Sequence, residues 1–446
     1  ALAMATPSGD IFYAGISEIS AKLRAKEFSA VELTRAFCDR LEKIGAAHNA
    51  LAHSLRDTAI KKAKDVDGDL KRGRTRGPLQ GIPYGAKDLL AVKGQPTEWG
   101  SRAFAGQKFN EDAFVVKKLD SAGAILIGKL AMIELAGGTG YSSGAASATG
   151  PTKNPWDQSR WAGGSSSGSA AAVADQMAPL AFGTQTAGSV IRPAAFCGVV
   201  GYKPSFGLIN RAGVKPLSDS MDTVGTLARS VPDAALFAAA ASGRHDLMIN
   251  QPLPGAPRVG ICRTFEWTRA QAETHAAMDA AMRKLGAAGI KLIDVDLPPN
   301  FAGMVQAQMD IMTYEMARSL AHEWHAHRAR LSQKLQDLIA AGLVLPREHY
   351  EAAVTLTRNA RRMTAEIFSR VDVLLAPSTV GEAPRGLDAT GDPLFNRLWT
   401  ILHTPCVHLP FAHGPNGLPA GLQTVGAIGA DRHTLLCADY LLRTLR

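Results

Sequence analysis

Between Gly137 and Gly168 the sequence runs through Gly, Ser and Thr with almost no charge. Exposed loops are ordinarily polar and charged, so a long uncharged stretch of small residues constrains the fold more than any other feature. Its backbone must pack inside the protein, where small side chains allow close approach. The stretch leads into an Ala-rich helical pattern, Ser169 to Met177, and then into a short apolar segment, Pro179 to Gly183, that reads as a buried strand. Burying so much backbone requires a large core around it. With 446 residues, 46% of them hydrophobic and 20% charged, the chain has the material, and disordered or collagen-like classes are excluded.

The rest of the chain alternates helix and strand signals. Ile16 to Asp69 reads as helices, one of them opened by a capping box from Ser29 to Glu32. Glu111 to Ala122 has helical spacing, and Ala124-Ile-Leu-Ile suits a buried strand. Ala234 to Ala241 reads as helix. Arg258 to Cys262, Ala270 to Ala288 and Ile290 to Val295 form a strand–helix–strand unit. Long helical patterns fill Phe301 to Gly342 and His349 to Arg370, Val371 to Ala376 reads as a strand, and Arg432 to Leu445 closes with a helix. This alternation predicts an α/β protein with a parallel or mixed sheet. No repeat or linker divides it, so one domain over residues 1–446 is expected.

Several function classes fall away. The longest uncharged run, Gln176 to Ile191, is broken by Pro179, Thr184, Gln185 and Ser189, so no membrane span is expected. The N-terminus has no basic stretch followed by an apolar one, which predicts no signal peptide and a cytoplasmic location. Cys38, Cys197, Cys262, Cys406 and Cys437 are odd in number, scattered and flanked by apolar residues, which predicts buried inert thiols rather than disulfides or a zinc site. The net charge of +9 raises the question of nucleic acid. Its one basic cluster, Lys71 to Arg76, lacks interleaved aromatics and belongs to no nucleic-acid module, so a solvated loop is expected and no nucleic-acid partner.

Three motifs imitate functional ones and fail. Gly123 to Lys129 fits the first part of a P-loop, but Leu130 stands where Ser or Thr would hold magnesium. His322 and His325 share a helix face, but Ala326 replaces the second histidine of HExxH, so no metal is expected. Gly164 to Gly168 matches GxSxG around Ser166, but Asp157 to Gly163 does not read as the strand that a nucleophile elbow requires.

Four blocks survive in order: Gly81-Ile-Pro-Tyr-Gly-Ala-Lys87-Asp88, Gly163-Gly-Ser-Ser-Ser-Gly-Ser-Ala-Ala-Ala, Gly183-Thr-Gln-Thr-Ala-Gly-Ser-Val-Ile-Arg-Pro through Lys203-Pro-Ser, and Gly417-Leu-Pro-Ala-Gly-Leu-Gln423. Together they resemble the amidase signature family, the Gly-Ser-Val-Ile-Arg-Pro portion resembling its malonamidase-like and allophanate-hydrolase-like members. The resemblance implies an amidase signature fold, a mixed sheet covered by helices on both faces, with a core over about residues 81–230 and a helical, pocket-forming insertion over about 300–370. It also implies a Ser–cis-Ser–Lys triad of Ser189, Ser165 and Lys87, with serines 24 positions apart. The sequence by itself does not choose Lys87 over Lys129 or Lys203; only the resemblance does.

Serine is a weak nucleophile until a neighbouring base takes its proton, and lysine is such a base only when burial keeps it neutral. The resemblance assigns the relay to Ser165, an oxyanion hole to the N–H groups of Thr186, Ala187, Gly188 and Ser189, and a supporting hydrogen-bonding role to Ser166. Arg192, three residues past the nucleophile, corresponds to an arginine that holds a substrate carboxylate in malonamidase-like members, against a structural pairing with a buried acid. Two positions depart from the usual pattern: Ala187 replaces Gly beside the oxyanion hole, adding a Cβ that would narrow the acyl pocket, and Ser167 replaces the Gly after the paired serines. Pocket walls are expected from Gly137 to Ser147, Asn210 to Ser220 and Ala302 to Tyr350. Met304, Met309, Met312 and Met316 fall in the last of these, as core or as pocket.

The implied activity is a cofactor-free serine amidohydrolase acting on a small amide, carbamate or ester through an acyl- or carbamoyl-enzyme. The alternative is the glutaminase component of a tRNA-dependent amidotransferase. A small-molecule substrate is the expected partner, and a homodimer is compatible with the reading.

Overall fold

Helices open the chain: α1 (Ile16–Arg24), α2 (Ala30–Ala47) and α3 (Arg56–Lys71). The computed structural model describes residues 9–137 and 148–446, and no helix among them is long and apolar enough to cross a membrane. The capping box forms as expected: Glu32 N–H donates to Ser29 Oγ at 3.1 Å and Ser29 N–H to Glu32 Oε2 at 2.8 Å. The helical reading of Ile16 to Asp69 is broken by β1 (Leu51–Ser54). This strand is four residues long and half exposed, too short for alternation to reveal it. After α3 the basic cluster folds back on one acid, Arg72 and Arg76 meeting Asp69 at 2.8 and 2.5 Å.

The chain continues through β2 (Pro83–Lys87), α4 (Phe114–Ser121), β3 (Ile125–Leu130), β4 (Lys153–Asn154), β5 (Asp157–Trp161), α5 (Ser167–Ala174) and β6 (Leu180–Gln185). Then come α6 (Ile191–Cys197), β7 (Val200–Lys203), β8 (Thr223–Ala228), α7 (Val231–Ser242), β9 (Val259–Ile261), α8 (Ala272–Ala287) and β10 (Leu292–Asp294). Four helices follow: α9 (Met304–Ser319), α10 (Ala321–His327), α11 (Gln333–Val344) and α12 (Arg347–Arg370). The chain ends with β11 (Val373–Pro377), α13 (Leu394–Ile401), β12 (Cys406–His413), β13 (Pro419–Val425) and α14 (Asp431–Leu445).

Among the described residues eleven strands make one sheet in the order β1-β3-β2-β6-β8-β7-β12-β13-β11-β9-β10. It is mixed: β3, β2 and β6 run parallel, β8, β7, β12 and β13 pair antiparallel, and β11, β9 and β10 return to parallel. Helices cover both faces, so the expected α/β class and mixed sheet hold. One expectation fails. Asp157 to Trp161 is a strand, though it pairs only with β4 in a separate ribbon.

The last part of the small-residue segment is buried as its composition demands, whereas Trp156, Gln158 and Ser159 within it are exposed. Every residue from Trp161 to Val173 and from Met177 to Cys197 is buried. A Cβ on Gly168 would lie 2.3 Å from the Ala50 carbonyl and 2.5 Å from the Ala131 nitrogen, so α5 reaches its place only without one. A second apolar cluster joins Met304, Met312, Trp399 and Ile191 beneath α9 and α13. All five cysteines are buried free thiols, and burial pushes Cys38, Cys262 and Cys437 up to about 12.

Candidate active site

Two neighbouring parallel strands, β2 and β6, end at the same place, and the carboxyl ends of such strands are where open α/β sheets bind ligands. Lys87 is the last residue of β2 and has no solvent exposure. Its Nζ lies 2.7 Å from Ser165 Oγ and 2.7 Å from Thr184 Oγ1, the latter on β6. No ion pair reaches it among the described residues. Burial therefore pushes the amine down from 10.5 to about 7; the charge of Arg192 adds to this and that of Asp222 opposes it.

The other two buried lysines are engaged elsewhere. Lys129 forms a fully buried ion pair with Asp88 at 2.9 Å and donates to Thr97 Oγ1 at 2.7 Å. Lys203 donates to the carbonyls of Pro204 and Thr404. Of the three, Lys87 is the one that meets a serine hydroxyl among the described residues.

Ser165 follows a cis peptide bond from Gly164. Ser166 Oγ both accepts from the N–H and donates to the carbonyl of Thr184, at 3.2 Å each, so this hydroxyl is tied to β6. Ser166 N–H in turn donates to the Ser189 carbonyl at 3.3 Å, holding residue 189 against the serine turn. Ser189 is 7% exposed, and its hydroxyl makes no hydrogen bond among the described residues.

From Thr186 to Ser189 the chain turns from β6 into α6. All four carbonyls of this segment are taken. Gln308 Nε2 donates to Thr186, Thr400 Oγ1 to Ala187, Arg192 N–H to Gly188 and Ser166 N–H to Ser189, at 3.1, 2.6, 2.8 and 3.3 Å. Their N–H groups donate to no acceptor among the described residues. Tethered carbonyls and unpaired donors are the geometry that stabilises a developing oxyanion. Gln185 Oε1 accepts from Val190 and Ile191 N–H and closes the turn. A Cβ on Gly188 would lie 2.4 Å from Asn396 Oδ1, so α13 presses directly on this glycine.

The other residues singled out from the sequence divide. Arg192 is fully inside: Nε and Nη2 donate to the Gly164 carbonyl at 3.0 and 2.6 Å, and Nη1 donates to the Gly391 carbonyl. Its guanidinium is occupied by backbone rather than by a buried acid, and it braces the peptide just before Ser165. Ala187 joins the second apolar cluster with Ile191 and Met221. Ser167 Oγ is buried without a partner among the described residues. Met304, Met312 and Met316 are core, while Met309 is 39% exposed and lines a cavity. Of the expected pocket wall Gly137 to Ser147, residues 138–147 lie outside the described residues.

Sequence reasoning missed Thr184, Asp222, Gln308 and Thr400. Asp222 is buried beneath the segment, accepting from Thr186 Oγ1 at 2.5 Å and from Leu217 and Ser218 N–H at 2.7 and 3.0 Å. The groups these four hold in the site lie between 36 and 213 positions away, and no local pattern carries such information. A Ser–His pair was missed too: Ser378 Oγ and His408 Nδ1 are 2.7 Å apart. Both side chains have zero exposure and burial pushes His408 down to about 3, so no substrate reaches this pair.

The mixed sheet covered by helices, with a buried lysine and serine hydroxyls gathered at the ends of β2 and β6, is the arrangement of an α/β enzyme. A family model described as Amidase matches residues 32–435, and the chain belongs to this amidase signature family. It is 36% identical to the A subunit of glutamyl-tRNA(Gln) amidotransferase from Anaeromyxobacter dehalogenans, over 95% of this chain and 94% of that protein. To the corresponding protein of Thermosynechococcus vestitus it is 33% identical, over 93% and 94%. Among solved structures, a crystal structure of an amidase superposes with a TM-score of 0.87 at 32% identity, covering 96% of this chain and 99% of the other. The native peptide amidase of Stenotrophomonas maltophilia gives 0.80 at 29%, covering 99% and 98%.

Proposed function

We propose that this chain is a serine amidohydrolase that cleaves the C–N bond of a small amide or carbamate. The observation that carries the reading is Lys87, buried without a counter-ion, held near neutrality at pH 7 and 2.7 Å from Ser165 Oγ. When substrate seats, Ser189 Oγ attacks the carbonyl carbon. Its proton passes to Ser165 Oγ as the Ser165 proton passes to Lys87 Nζ. The oxygen that gains charge lies against the N–H groups of Thr186 to Ser189. Collapse of the tetrahedral species breaks the C–N bond, the proton returns from Lys87 through Ser165 to the leaving nitrogen, and water then releases the acyl or carbamoyl group by the same relay. The continuous sheet from β1 to β13 supports reading residues 1–446 as one catalytic domain.

A second reading has its own support. The curated relatives named above are amidotransferase subunits at 33–36% identity over nearly the whole chain. By similarity, glutamine as amide donor, with ammonia passed to partner subunits, is better supported than a carbamate. The names of the solved neighbours, amidase and peptide amidase, support a linear amide.

The test is a mass-spectrometric panel of amides, anilides, carbamates and glutamine with the wild type and Ser189→Ala. Turnover of a small amide or carbamate that disappears in Ser189→Ala establishes the first reading. Glutamine as sole substrate, together with co-purifying subunits, establishes the second. Full turnover by Ser189→Ala overturns both.

A further inference from the structure

Between α6, α9 and α13 lies a cavity of about 560 Å³ whose walls include none of the residues of the catalytic proposal. Its walls come from the amino-terminal turns of α9 and α13, the end of α6 and the chain between Val380 and Asp392. Phe196, Val305, Met309, Val380 and Leu394 give them an apolar part, and Arg269, Gln271, Glu382 and Asp392 a polar one. Arg397 also lines this space, although the residue is only 5% exposed.

A guanidinium in such a place would ordinarily be paired with a carboxylate, because a buried charge is costly alone. Arg397 is not. Its Nη1 donates to Gln308 Oε1, its other N–H groups donate to no acceptor among the described residues, and it forms no ion pair there. Of the two acids on the cavity wall, Asp392 acts on Arg397 through its charge without a direct ion pair, and both have hydrogen-bonded partners elsewhere. Asp392 pairs with Arg269 at 3.3 Å, and Glu382 accepts from Asn416 Nδ2 and from the N–H groups of Asn416 and Leu418.

We infer that this cavity binds a monocarboxylate with an apolar body, its carboxylate on Arg397 and its chain against Phe196, Met309 and Leu394. The planar fork of a guanidinium matches a carboxylate, and the apolar walls match an alkyl or aryl chain. The carboxylates of Glu382 and Asp392 on the same wall oppose a doubly charged phosphate. Occupancy also reaches the site. Arg397 holds Gln308, and Gln308 Nε2 holds the Thr186 carbonyl at 3.1 Å, so a carboxylate on Arg397 bears on the first residue of the oxyanion segment through one side chain. A carboxylic acid is what amide hydrolysis releases; that link rests on the proposed function, whereas binding itself does not.

The experiment is calorimetric titration of hexanoate, with hexanamide as the uncharged comparison, into Ser189→Ala protein, so that turnover plays no part. One-to-one binding of hexanoate, absent for hexanamide, is expected. Arg397→Gln removes the charge. Met309→Trp fills the cavity from a partly exposed position that folding tolerates, should Arg397→Gln fail to fold. Each should weaken hexanoate about tenfold or more. Unchanged affinity in Met309→Trp, or no saturable binding in the millimolar range, overturns the inference. Loss of turnover in Ser189→Ala would still stand in that case, so the two conclusions fail separately.

Discussion

Thr184→Val replaces the second hydroxyl on Lys87 with a methyl of nearly the same size. The wild-type amine has moved from 10.5 to about 7, which corresponds to a preference for the neutral form of about 5 kcal/mol at this site. Two hydroxyls at 2.7 Å limit that preference, since each can accept from the ammonium. A hydrogen bond to a charged group contributes ~1.5–3 kcal/mol and one between neutral groups ~0.5–1.5, so losing Thr184 Oγ1 costs the ammonium about 1 kcal/mol more than the amine. The pH at which half the lysines are neutral should fall by about 0.7. Labelling of Ser189 by a fluorophosphonate, followed by mass spectrometry across pH, reads this without a known substrate. In wild type the rate should rise through a midpoint near 7, and in Thr184→Val through a lower one with a reduced plateau. A wild-type midpoint near that of ordinary lysine, or an upward move in the variant, would refute the assignment of Lys87 as the neutral base.

The same burial makes a stability prediction. Between about pH 7 and 10 the unfolded chain still protonates residue 87 while the native one does not, so the unfolded state binds more protons and stability rises with pH through this group. Lys87→Met removes that rise, and its unfolding free energy relative to wild type should fall by about 1.4 kcal/mol per pH unit over this window, measured by urea denaturation. Asp88→Asn leaves the Lys129 charge buried and unpaired, and should destabilise the fold by ~3–5 kcal/mol while the labelling midpoint stays where it was. Gly188→Ala drives a Cβ to within 2.4 Å of Asn396 Oδ1. Labelling should slow by ~10²–10³-fold as the oxyanion segment shifts, with the pH midpoint unchanged.

How far the sequence could be read depended on how far apart the partners lie. The capping box at Ser29 and the strand–helix–strand unit of β9, α8 and β10 depend on residues a few positions apart, and both appear as read. The burial of residues 161–168, at the end of the Gly/Ser segment, was legible because small uncharged residues have few other uses. β2, β7, β8, β12 and β13 were not, since they are buried on both faces (β12 in its first half) and punctuated by Gly, Pro or Thr, which removes alternation. The choice of Lys87, Ser165 and Ser189 came only through resemblance. In geometric terms Lys87, Lys129 and Lys203 are all fully buried, and what separates them is a partner: an aspartate, two carbonyls, or a serine. Arg192 shows the limit from the other side. Its place three residues past Ser189 left a ligand role and a structural pairing with an acid both open, and the backbone of Gly164 and Gly391 took its donors instead.

The tethers on the oxyanion segment indicate where change in this enzyme is confined and where it is free. Two of them, Ser166 to Ser189 and Arg192 to Gly188, come from within the stretch between residues 163 and 203 and move with it. The other two reach in from α9 through Gln308 and from α13 through Thr400, helices outside that stretch that also line the Arg397 cavity and the second apolar cluster. A substitution on α9 or α13 therefore acts on the chemistry by moving a carbonyl, while the hydroxyls, the lysine and their distances stay in place. Gln308→Met separates the two effects. It removes the tether on Thr186 and the acceptor of Arg397 together, so plateau labelling of Ser189 should drop about tenfold while the midpoint near 7 holds. A moved midpoint would show that α9 also sets the charge state of Lys87, and the division between a rigid proton relay and an adjustable oxyanion segment would have to be given up.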